Sequence, residues 1–150
     1  MDSDLWIQIL ELVVLLALSG FFSSAETAMV SVSKIRLRTL EEEGNRKAAL
    51  ALKILENQSK MLSAILIGNN LVNTSAASLA SVIAYSFGGA AVSIATFIIT
   101  FLILVFGEIT PKTWATINAD KLALAYAPII IFLMKIFYGN WTKRKNHVKN

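Results

Sequence analysis

Apolar residues fill three stretches of the chain, Leu5 to Val32, Met61 to Phe87 and Ala90 to Phe106. A helix needs about 20 residues to cross the hydrocarbon layer, within a range of roughly 17–25, so each stretch is long enough to span. A fourth, Leu122 to Tyr138, is interrupted by Pro128 and Lys135. Between the first two spans lies KIRLRTLEEEGNRKAALALKILENQSK, which reads as two short helices broken at Gly44-Asn45. Leu37 and Leu40 share one side of the first, and Leu50, Ile54 and Leu55 recur at helical spacing in the second. Gly44 can take the left-handed conformation that ends a helix. The pattern predicts an all-α integral membrane protein made of a single transmembrane domain. Its spans cover about 5–32, 61–87 and 90–111, with an amphipathic juxtamembrane helix pair over 34–60 on the cytoplasmic side. An interfacial C-terminal helix is expected over 122–138.

Composition agrees. Hydrophobic residues make up 55% of the 150, charged residues only 16%, and the mean hydropathy is +0.61. Soluble domains carry about a quarter charged residues, and disordered chains are far less hydrophobic. The pI near 9.5 therefore does not indicate a nucleic-acid partner. With no cysteine there is no disulfide, thiolate metal site or cysteine nucleophile, and the lone His147 sits in a polar tail. The distribution of charge sets an orientation. Residues 1–33 hold four acids and no base, whereas 34–60 hold seven bases against four acids. Acids ahead of the first stretch argue against a cleaved signal sequence. Short loops rich in Lys and Arg stay on the cytoplasmic side, which places the N-terminus and the Gly88-Gly89 turn outside. The basic tail (Lys143, Arg144, Lys145, Lys149) belongs inside too, so the fourth stretch is expected not to cross. A multi-pass protein of the cell membrane with a cytoplasmic C-terminus follows.

Intramembrane polar groups are costly and mark function, and each span contains such a group. In LSGFFSSAETA, Ser19 and Ser23 share a helix face, with Glu26 one step further along it. The hydroxyls either serve a ligand or back-bond to carbonyls of the preceding turn. In GNNLVNTSAAS, Asn69 and Asn73 share a face and Asn70 is turned about 100° away. Inter-helix hydrogen bonding explains one asparagine, at about 0.6 kcal/mol, more easily than three in five positions. The rows Ala76/Ala80/Ala84 and Ala77/Ser81 predict close helix packing or a dimer seam. In FGEITPK, Glu108 is the only charged side chain between residues 61 and 111. Pro111 has no N–H, so the Gly107 carbonyl loses its helical partner. Glu108 is either a functional carboxylate or the end of a helix paired with Lys112 one turn on.

Alternating crossings let all three runs reach a similar depth. Together they offer hydroxyl, amide and carbonyl oxygens and one carboxylate, a ligand set for hard cations such as Mg²⁺, Ca²⁺ or Na⁺. One negative charge leaves a divalent ion incompletely neutralised, which suits an ion that must depart again. The three runs supply about the six oxygens that Mg²⁺ requires.

These same three segments resemble the signatures of the transmembrane domain of the CorC/cyclin-M (CNNM) magnesium transporters, over roughly Leu5 to Tyr138. The resemblance implies a homodimer in the lipid bilayer, three membrane helices per protomer and a cytoplasmic juxtamembrane belt. It implies Mg²⁺ export in exchange for Na⁺. Carried over by position, the family's serine pair falls on Ser19 and Ser23. Its asparagine falls on Asn73 or Asn69, and its glutamate on Glu108 beside Gly107. Members usually carry a regulatory pair of CBS modules after this domain, which bind ATP in some of them; no such pair is expected within these 150 residues. The expectation is thus an ion transporter with Mg²⁺ as cargo. A channel with the same ligands and a non-transporting membrane anchor that dimerises are the rivals. No enzyme is expected, since no nucleophile–base pair or activated-water site is visible.

Overall fold

The computed structural model describes residues 3–139, and the basic tail and His147 lie outside the described residues. The described elements are all helices: α1 (Ser3–Ser31), α2 (Lys34–Glu42), α3 (Arg46–Leu55), α4 (Gln58–Tyr85), α5 (Ala91–Leu104), α6 (Thr110–Ile117) and α7 (Ala119–Tyr138). A wide π-helical turn, Val105–Ile109, joins α5 to α6, so Ala91–Ile117 runs on as one 27-residue helix. The expected third span therefore sits within a helix that continues six residues beyond Pro111.

Polarity is inverted relative to a soluble protein. Trp6, Ile7, Leu10, Val13, Val14 and Leu18 of α1 are exposed, while Ser19, Ser23 and Ser24 are buried. α5 buries none of its residues and displays Ile94, Phe97, Ile98 and Phe101 outward. Such a surface is stable against lipid and not against water. α1, Ala91–Ile117 and α7 are long and apolar enough to cross a membrane. At 28 residues α4 has the length too, but its asparagines and serines dilute its hydropathy.

α1, α4 and the α5–α6 helix pack into a bundle. α4 runs back along α1, so the end of α1 at Ser31 and the start of α4 at Gln58 share one end of that bundle. Here the α2–α3 pair docks. Gly44, with φ +90°, ends α2, and Asn45 caps α3 by accepting the Lys47 and Ala48 N–H groups at 3.0 and 3.1 Å. Leu37, Ile54 and Leu55 are buried as their spacing predicts, but against protein and not solely a membrane surface. They share a core with Ala48 and Ala51 of the same pair, Met61, Ala64 and Ile65 of α4, and Ala123, Ala127, Ile130 and Met134 of α7.

α7 is held at both of its ends. The Asp120 carboxylate accepts the Ser33 N–H at 3.1 Å and pairs with Arg36 at 3.8 Å. Eighteen residues on, the Lys60 ammonium lies 5.8 Å from the Tyr138 ring centroid. Ser33 and Lys60 belong to the same end of the bundle. Although α7 has the length to span, it is laid across the base. Among the small-residue rows, Ala76, Ala80 and Ala84 are buried within the chain, beside Leu12 and Ile83, whereas Ala77 and Ser81 remain exposed. The first row is therefore intrachain helix packing.

Replacing Asn45 by alanine removes both cap bonds of α3. The expected cost is about 1 kcal/mol, read as a lower midpoint in thermal unfolding in detergent. An unchanged midpoint would mean that α3 owes its start to packing alone.

Candidate functional site

Each polar side chain of the bundle is placed by the helix it belongs to, and the three runs meet where α1, α4 and the π-helical turn converge. The Ser19 hydroxyl lies 2.7 Å from Asn73 Oδ1 and 3.2 Å from the Gly107 carbonyl oxygen. Its single proton goes to one of these acceptors or is shared between them. The Asn73 amide in turn donates to Glu108 Oε1 at 3.2 Å. Residues 35 to 88 positions apart in sequence are thus joined in one network.

The backbone makes this possible at Gly107. A Cβ there would lie 3.1 Å from Ser19 Oγ, a tight contact that would crowd the hydroxyl beside the carbonyl. That carbonyl is the one Pro111 cannot bond, and the serine answers it from the neighbouring helix. The π-helical turn carries Glu108 within a continuous helix. π-Turns are wider than α-helical ones and recur at functional sites. Glu108 is half-buried and bonded to Asn73, and among the described residues no ion pair joins it to Lys112. The helix-end alternative is thereby set aside. Ser19 likewise bonds across helices and does not back-bond to its own.

Ser23 and Asn69 stand one turn further on, Ser23 after Ser19 and Asn69 before Asn73. Since α1 and α4 run in opposite directions, both steps lead toward the same end of the bundle. The level is fixed by their neighbours: a Cβ on Gly68 would come within 2.5 Å of the Phe22 ring. Residues 22 and 68 are therefore in direct apposition, and so are the turns that bear Ser23 and Asn69. Both are buried, and neither Ser23 Oγ nor Asn69 Oδ1 has a hydrogen-bond partner. An unmet buried polar atom costs roughly 1–3 kcal/mol. Both atoms lie on facing turns, and each is left without the partner that a ligand could supply.

All six residues singled out in the sequence thus fall into two adjoining layers, four of them hydrogen-bonded and two unmet. Glu26, placed on the same face by spacing, is half-buried and outside the network, and Asn70 is exposed. Among the described residues no three His, Cys, Asp or Glu side chains cluster, so any cation here is held mainly by neutral oxygens. The π-helical turn and a bond between Ser24 and Tyr126 at 3.1 Å were not foreseen. Pro111 was the available signal for the first; an isolated tyrosine in an apolar stretch gave none for the second.

Apolar-faced helices around a cluster of oxygen atoms define a multi-pass helical membrane protein. The family model for the cyclin M transmembrane N-terminal domain matches residues 10–139, and the chain belongs to that family. A UPF0053 protein of Haemophilus influenzae is 48% identical over 128 residues, which cover 85% of this chain and 30% of that protein. The UPF0053 inner membrane protein YfjD of Escherichia coli is 38% identical over 126 residues, covering 81% of this chain and 29% of its own length. A further relative from Haemophilus influenzae, 29% identical over 151 residues, is named a polyamine export protein; the match covers 91% of this chain and 35% of that protein. The chain thus spans about a third of the length of these relatives or less.

Gly107→Ala should crowd the Ser19 hydroxyl against the carbonyl and destabilise the fold by up to about 1 kcal/mol, the low end of overpacking costs. Combined with Ser19→Ala it should cost less than the two changes summed, because both disturb one contact. Additive losses in melting measurements would show that the contact is not shared.

Proposed function

We propose that this domain moves Mg²⁺ across the cell membrane, with the ion bound between its three packed helices. The observation that carries the reading is the convergence of Ser19, Asn73, Gly107 and Glu108 beside the unmet Ser23 and Asn69 oxygens. Six oxygens are available: two hydroxyls, two amide oxygens, one main-chain carbonyl and one carboxylate. That is the number and hardness Mg²⁺ takes in octahedral coordination. Glu108 supplies the only formal charge of the set, and that charge does most to hold the ion. The neutral oxygens replace its hydration shell.

The hydrogen bonds among these groups must open as the ion enters, since Ser19 and Asn73 now face each other. Helix separation at the π-helical turn and Pro111 provides the movement. Entry of Na⁺ or a proton at Glu108 would release Mg²⁺ and couple the two fluxes. Charge supports an orientation: Lys34, Arg36, Arg38, Lys53 and Lys60 all sit on the segments at the Ser31/Gln58 end, which favours a cytoplasmic position for that end and an external start of α1. α1, α4 and the α5–α6 helix then cross, and α7 lies along the inner interface. The resemblance favours export by a homodimer. A channel would use the same ligands without coupling.

The relative named for polyamine export raises an organic cation as the other cargo. A polyamine carries several ammonium groups strung along a chain, whereas this site has one carboxylate, linked by a hydrogen bond to Asn73 and through it to Ser19 and Gly107. Its compactness favours a monatomic ion.

Titration calorimetry on the purified protein should detect Mg²⁺ binding that Glu108→Gln weakens by about a hundredfold or more. In liposomes, Mg²⁺ flux should stop in the same variant, while spermidine flux stays at the level of empty vesicles. Equal Mg²⁺ binding by wild type and Glu108→Gln would defeat the assignment, and spermidine flux alone would make the cargo organic.

A further inference from the structure

Ser23 Oγ and Asn69 Oδ1 have no hydrogen bond to hold them in place. Their positions are set by the residues on either side, and these lead outward to α7. Phe22, beside Ser23, lays its ring where Gly68, beside Asn69, lacks a side chain. Phe22 meets Phe21 edge to face, with centroids 5.3 Å apart at 65°. Phe21 meets Tyr126 of α7 in the same manner, at 4.9 Å and 77°. On the other flank of Ser23, the Ser24 hydroxyl lies 3.1 Å from the Tyr126 hydroxyl and bonds to its own helix at the Phe21 carbonyl. Tyr126 therefore reaches both neighbours of Ser23 by separate routes, one through rings and one through hydroxyls. The ring route continues across to the backbone beside Asn69.

We propose that Tyr126 is a positioning residue for the cation site, setting the Ser23/Asn69 oxygen pair through the Phe21–Phe22 stack and through Ser24. It rests on the reading that these oxygens bind Mg²⁺, and it adds a residue from a helix that supplies no ligand. Edge-to-face aromatic pairs resist sliding because each ring edge is attracted to the face of its neighbour. A ring row ending on a glycine backbone thus fixes the distance between α1 and α4 at the level of the pair. The spacing of two oxygens decides which cation they suit, since Mg²⁺ sits about 2.0–2.1 Å from its ligands and Ca²⁺ about 2.3–2.6 Å. α7 is anchored at Asp120 and at Tyr138, so movement of either anchor would reach the oxygens through Tyr126.

The test measures Mg²⁺ and Ca²⁺ affinity by calorimetry, together with melting temperature, on the purified protein. Tyr126→Leu removes both routes and should weaken Mg²⁺ about tenfold, the scale on which residues supporting metal ligands act, while weakening Ca²⁺ less. Tyr126→Phe keeps the rings and should retain most of the affinity. Ser24→Ala should match Tyr126→Phe, and the double variant should add nothing further. Ile83→Ala, in the separate cluster with Leu12 and Ala76, should lower the melting temperature and leave both affinities alone. Tyr126→Leu with a lower melting temperature but unchanged affinities and selectivity would overturn the proposal. Should that variant fail to fold, unequal effects of Ser24→Ala and Tyr126→Phe, or additive ones, would overturn it as well. Wild-type protein that binds no more Mg²⁺ than Glu108→Gln would instead remove the cation site itself.

Discussion

A hydrogen-bonding group in hydrocarbon has no water to turn to, and this constraint organises the bundle. Serine, asparagine and a glutamate on separate helices are each unfavourable in lipid, and each becomes tolerable only against the others. The contacts from Ser19 to Asn73 and Gly107, and from Asn73 to Glu108, therefore fix how the helices are rotated as well as what they can bind. Apolar packing alone would specify those rotations poorly, because lipid tails and leucine side chains are nearly interchangeable neighbours.

The same constraint explains why the ligands are mostly neutral. Each further carboxylate in the membrane would add an insertion cost of roughly 2.5–3.5 kcal/mol. In the proposed site, a lone Glu108 with hydroxyls, amides and a carbonyl would hold a cation without a second buried charge. On the proposed reading, the two unmet oxygens beside the hydrogen-bonded network are free to meet a ligand, while the bonds of the network would have to be replaced by it.

Much of this was legible in the sequence, and the limits are instructive. Glycine followed by asparagine marked the break between α2 and α3, because both residues have strong conformational signatures that owe nothing to distant contacts. Ser19, Ser23, Asn69, Asn73 and Glu108 stood out as candidates because lipid makes polar residues conspicuous, and Gly107 because Pro111 takes away the helical partner of its carbonyl. Glu26 and Asn70 were equally conspicuous yet lie outside the network, since a helical period gives a face and not what stands opposite. The apolar stretch now seen as α7 has a composition that permits spanning, and its placement depends on Asp120 and Tyr138 meeting residues 78 to 87 positions away. Tyr126 was invisible for the same reason. Its significance lies in Phe21 and Ser24, and neither is near it in the chain.

The wide turn at Val105–Ile109 also keeps a long helix in phase with its neighbours. Ile99 and Ile103 pack beside Leu12 and Ala76, Gly107 meets Ser19, Pro111 closes on Gly20, and Ala115 clusters with Ala28. These contacts recur at every fourth residue, and in an uninterrupted α-helix each such step drifts by about 40°. Over the whole row the last contact would have swung to the far side. One slackened turn takes in an extra residue, about 100° of phase, and so removes more than half of the drift, which keeps the contacting residues toward the bundle along the helix.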